Sequence, residues 1–125
     1  MLGLPAYATP AAVRAALNKK DWAGALPIHN ALRAAATGPE LVRAMLDAGG
    51  EAMLGVPDDN YKYLPLHCAA QYSRSPAVVE ILLARGPPGA ARAKDSYGRT
   101  PLDLAGLNES PAAEEIKALL RAAIP

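Results

Sequence analysis

The sequence predicts an all-α protein, built as a solenoid of stacked helix pairs. Three observations predict it. First, 28 of the 125 residues are Ala and only nine are Val or Ile. That bias favours helices over strands and a thin core of small side chains. Second, Asp21–Ala31, Asp59–Ala69 and Asp95–Ala105 share one pattern: Pro six residues after Asp, an aliphatic residue next, and Ala four after Pro. The copies start 38 and then 36 residues apart. Third, a second pattern is interleaved at the same period. Pro10, Pro39 and Pro76 each lie three residues before a Val. A long, fixed period of this kind is the mark of repeat architectures.

Each element follows from the register. The run Thr9-Pro10-Ala11-Ala12-Val13 opens a first helix, and Asp21 follows Val13 by only 8 positions. Pro27, Pro65 and Pro101 suit a first helical turn, where a missing N–H costs nothing. Thr100 precedes the last of them as an N-cap. The short helices that follow would pack closely through Ala31, Ala69, Ala70 and Ala105. Polar turns then lead to second helices opening at Pro39 and Pro76. Their stripes are Val42, Met45, Leu46 and Val79, Leu82, Leu83, with Ile116, Leu119, Leu120 in the third copy. These are i, i+3, i+4 sets on one face. Gly49 and Gly86 are expected to end the second helices. No single pair buries both of its faces, so the pairs must stack.

At this point the chain resembles ankyrin repeats. Leu26-Pro27-Ile28-His29, Leu64-Pro65-Leu66-His67 and Thr100-Pro101-Leu102-Asp103 look like that family's Thr-Pro-Leu-His box. Asp21/Gly24 and Asp95/Gly98 supply the preceding Asp-x-x-Gly. The resemblance implies an ankyrin-type helix-pair solenoid with short hairpin or loop fingers, in a single domain over 1–125. It places an N-terminal cap helix at about 9–20 and repeats at about 21–58, 59–94 and 95–125. The repeats exceed the family's ~33-residue period. The excess over 49–58 and 86–94 is expected to enlarge fingers or loops. Lys62 stands where the turn glycine belongs, and Asp103 replaces the box histidine. Tyr7, Leu2 and Leu4 could cover or extend the first end of the stack.

Composition excludes several functions. Thirteen Lys/Arg against twelve Asp/Glu give a net charge of +1, too little to attract nucleic acid or an anionic membrane. One cysteine, Cys68, allows no internal disulfide and no Cys-rich zinc site, and its default is a reducing compartment; the expected location is the cytoplasm, with the nucleus or an organelle as alternatives. Asp59 is read as a turn anchor, and the Glu114-Glu115 pair as a solvated helix face. His29 and His67 fall about one repeat apart, and the resemblance gives them structural roles. Cys68 and His67 are helical neighbours that face apart. No catalytic residue, metal site or cofactor is expected.

The resemblance also implies a partner face on the finger tips and the exposed side of the first helices. Carried onto this chain, it selects Trp22 and Arg33 in the first repeat. In the second it selects Asp58, Asn60, Tyr61, Tyr63, Gln71 and Tyr72, and in the third Lys94, Tyr97 and Arg99. Five of the six aromatics fall on that face and only Tyr7 lies elsewhere. Large rigid rings with polar handles favour interfaces. Displacement of rings from a small-residue core explains part of the enrichment. Glu51, Asp58 and Asp59 face Arg85, Arg92, Lys94 and Arg99 as either salt-bridged fingers or a bipolar groove. The expected function is therefore non-catalytic binding of a partner protein or peptide by a monomer. The alternatives are a structural scaffold or self-association module, or the regulatory domain of a larger enzyme.

Overall fold

The structure, a computed structural model, describes residues 9–124. It contains helices α1 (Pro10–Leu17), α2 (Pro27–Arg33), α3 (Pro39–Gly49), α4 (Pro65–Tyr72), α5 (Pro76–Arg85), α6 (Pro101–Ala105) and α7 (Ala113–Ala122). Among the described residues there is no strand. Leu2, Leu4 and Tyr7 lie outside the described residues. Proline occupies the first position of every helix but α7, where its fixed φ suits the first turn. Thr9 and Thr100 cap α1 and α6 through their hydroxyls.

The helices form two rows. α2, α4 and α6 pack in succession along one side, and α1, α3, α5 and α7 along the other. The second row buries most of the stripe read from the sequence: Val42 and Leu46, Val79 and Leu82, Ile116 and Leu120 are buried, and Met45, Leu83 and Leu119 are half-buried against the core. Ile28, Leu32, Leu66 and Leu104 fill the space between the rows. Ala69, Ala70 and Ala105 are fully buried where α4 meets its neighbours. A larger side chain at these seams would force the helices apart.

The segments expected to lengthen the fingers do something else. They form 3-10 turns at Glu51–Gly55 and Ala90–Arg92 that fold back on the stack. Met53, Leu54, Ala90 and Ala91 are buried there, so the added residues thicken the core. The end of α3 also differs from expectation. Gly49 is still helical, and Gly50 leaves the helix at φ +97°. Asn18 covers this end by donating from its amide to the Gly49 carbonyl at 2.8 Å.

The fingers are turns built around a carboxylate. Asp21 accepts from the amides of Ala23 and Ala25 at 2.9 and 3.0 Å. Asp95 accepts from Tyr97 and Arg99 at 2.8 and 2.9 Å. In the middle finger the acceptor is Asp58, which takes the amides of Tyr61 and Tyr63, both at 3.1 Å. That turn is one residue longer. Asp59, read as the anchor, is the inserted residue. Its amide donates to the Ala23 carbonyl of the previous finger at 3.0 Å, and Ser96 donates likewise to Tyr61 at 2.7 Å. Adjacent fingers are thus stitched to one another.

Candidate recognition surface

The surface rests on two buried histidines. His29 Nδ1 accepts from the Leu26 amide at 2.9 Å, and Nε2 meets the Tyr63 carbonyl at 2.9 Å. His67 repeats this with the Leu64 amide at 3.0 Å and the carbonyls of Ala93 and Arg99 at 3.0 and 3.2 Å. Only a neutral imidazole with its proton on Nε2 satisfies both sides. Each ring closes its own helix start and clips the next finger to it. Burial lowers both pKa values from the usual imidazole range, against the pull of the carbonyls. Asp103 does the first half of this work in α6, accepting from the Thr100 amide at 2.9 Å. Burial also pushes the Cys68 thiol up to about 12, so it packs as an apolar group.

Aromatic rings climb from His67 to the surface. Tyr63 stacks on His67 with centroids 5.7 Å apart. Tyr61 lies 5.4 Å from Tyr63, and Tyr97 lies 5.8 Å from Tyr61. Such spacings are in the range where rings attract beyond simple burial. Exposure rises along the series, from 7% at Tyr63 to 68% at Tyr97. Arg99 braces it: its Nε donates to Asp95 at 2.9 Å and its Nη2 to the Tyr63 hydroxyl at 2.9 Å. The guanidinium carbon stands 5.0 Å from the Tyr97 ring centre. Asp95 is held below the usual carboxylate range; burial works to raise it, but the amides of Arg99 and Tyr97 and the Arg99 side chain prevail.

These rings border an open depression of about 470 Å³, lined by Arg33, Asn60, Tyr61, Tyr63, Tyr72, Tyr97 and Arg99. Seven of the eleven residues expected on the partner face therefore meet in one place. Trp22 is 95% exposed at the first finger and apart from this depression. Lys94 is exposed beside Asp95. Gln71 lines a second, wider depression of about 1010 Å³ near the turn before α7, and Tyr72 borders both.

Two expected contact residues need correction. Asp58 is 1% exposed, holds its own turn and pairs with Arg33 at 2.7 Å. Tyr63 is buried, and its hydroxyl already accepts from Arg99. Both support the surface from beneath. Charge across the long connections is also partly consumed, because Arg85 bridges to Asp47 and Glu51 at 2.9 and 3.0 Å. Asn108 is a further structural residue beside this surface. It is buried and donates to the carbonyls of Ala70 and Ser73 at 3.0 and 2.9 Å, tying the end of α4 to the next turn. Its position before the polar Glu109-Ser110 turn was the available signal.

Stacked helix pairs with stitched, carboxylate-centred fingers and an aromatic-lined depression define a helical repeat protein. Residues 55–105 match the family model described as "Ankyrin repeats (many copies)". The chain is 35% identical over 99 residues to Tyrosine-protein kinase Shark of Drosophila melanogaster. That match covers 79% of this chain and 10% of the kinase. The chain belongs to the ankyrin-repeat family, whose repeats generally mediate protein–protein interaction and are generally non-catalytic. No helix among the described residues is long and apolar enough to cross a membrane.

Proposed function

We propose that this chain is a single recognition domain that binds a partner protein or peptide on its concave finger and first-helix face. In this reading it has a cap helix at about 9–20 and repeats at about 21–58, 59–94 and 95–125. It works as a non-catalytic monomer in the cytoplasm. The contacts are made by Tyr61, Tyr72, Tyr97, Arg33, Asn60 and Arg99, with Trp22, Gln71 and Lys94 at the margins. One observation carries the reading: six of these contact residues line a single depression, with Tyr63 supporting them. Its rings are held in place by packing beneath them, so little ordering cost falls on binding. The hydroxyls of Tyr61, Tyr72 and Tyr97 make no hydrogen bond among the described residues, which leaves polar handles for a partner.

The test pairs capture with stability. Tyr61→Ala with Tyr97→Ala is expected to abolish partner capture while shifting the melting temperature by a few degrees at most. Capture that survives this change would sink the reading. A second reading has its own support in the match to part of a tyrosine-protein kinase. There the domain serves a larger enzyme as a regulatory unit. It uses the same face, so the same variant tests both.

A further inference from the structure

The two depressions differ in chemistry, and Tyr72 joins them. The finger-side depression offers donors: the guanidinium groups of Arg33 and Arg99, with their carboxylate partners buried behind them. The helix-turn depression offers acceptors. Glu109 and Glu115 line it with Arg74 as the opposing charge, giving a net of −1. Neither glutamate is ion-paired among the described residues. Gln71 Oε1 also lies at this depression, buried and without a hydrogen-bond partner. A buried acceptor left unpaired costs roughly 1–3 kcal/mol, so a ligand N–H that reached it would recover that cost.

We propose that the groove takes an extended peptide segment of fixed polarity from the partner. An acidic side chain sits at Arg33 and Arg99, and a basic side chain sits at Glu109 and Glu115. Between them the peptide backbone donates to Gln71 Oε1 and an apolar side chain covers Tyr72. This rests on the recognition role proposed above and names its ligand. The two depressions meet at Tyr72, the last residue of α4, so one extended segment crosses both. Complementary charge at both ends fixes the direction of binding more than its strength.

Selection from a random dodecapeptide display library tests this. The wild type is expected to enrich peptides carrying one acidic and one basic residue at one fixed spacing and in one constant order. Glu109→Lys with Glu115→Lys alters two exposed side chains. Selection on that variant should replace the basic position with an acidic one. Gln71→Ala should weaken binding of a selected peptide at least fivefold, with its circular-dichroism melt unchanged. A consensus without the charge pair, or one that ignores the glutamate swap, overturns the inference and leaves the recognition role intact. Failure to enrich any peptide also overturns it. The recognition role would then stand or fall on the Tyr61 and Tyr97 capture experiment alone.

Discussion

Lys62 holds the middle finger in a conformation that L-residues avoid. Its φ is +59°, at the turn position that Gly24 and Gly98 occupy at +72° and +76°. A left-handed non-glycine residue costs roughly 1–2 kcal/mol, while glycine costs some unfolded-state entropy. Lys62→Gly is therefore expected to stabilise by about 0.5–1 kcal/mol, read as a higher urea midpoint at unchanged slope. The converse changes separate conformation from crowding. A Cβ at Gly98 meets nothing within 4 Å, whereas one at Gly24 runs into the Asp59 carboxylate. Gly24→Ala should therefore lower the midpoint clearly more than Gly98→Ala. If the two cost the same, the contact between the first two fingers is not formed as described.

At the scale of one element, the middle finger tests its own register. Asp58 is buried and accepts two amides and a guanidinium. Asp59 is exposed. Asp58→Ala should cost about 2–4 kcal/mol by orphaning those donors, and Asp59→Ala within roughly 0.5 kcal/mol. Thermal melts of the two variants decide it. Tyr63→Ala should cost about 3–4 kcal/mol as a buried ring, in contrast to the milder changes at Tyr61 and Tyr97. These residues show where the sequence was readable. The helices were legible because apolar spacing and proline placement are local signals. Two adjacent aspartates offer two local registers, and only the hydrogen bonds of the folded turn choose between them. Tyr63 lies at the depression, yet its depth depends on His67 below and Arg99 beside it. Those are long-range contacts that no spacing encodes. The 3-10 turns were missed for a similar reason. Whether an insertion extends a loop or folds onto the core depends on a hydrophobic surface elsewhere, here the site that receives Met53 and Leu54.

For the whole molecule, the histidine clips make stacking depend on pH. Each clip joins one helix pair to the next finger: His29 to Tyr63, His67 to Ala93 and Arg99. Protonation puts a hydrogen on Nδ1, where the Leu26 and Leu64 amides already donate. The folded chain therefore resists it, and both folded pKa values lie below the ordinary 6.5. A base with a depressed folded pKa is protonated first in the unfolded chain. Its contribution is complete above pH ~6.5 and is lost as pH falls towards the folded pKa. The loss reaches at most about 1.4 kcal/mol per histidine for each pH unit within that window. Asp95 acts in a separate, lower range, because its folded pKa lies below 3.8. Urea unfolding should thus be flat between pH 7 and 8 and weaken from pH 6.5 to 5. His67→Gln should start from a lower stability, since one clip is gone, and decline about half as steeply. An equal slope in the variant would assign the acid sensitivity to other groups. Because a repeat stack is held together by nearest-neighbour interfaces, a clip lost between the second and third units frees α6 and α7 before α2 and α3. In His67→Gln, where only that clip is lost, amide exchange at pH 7 should therefore be faster in α6 and α7 than in α2 and α3, and it should show that order even while most of the chain remains folded.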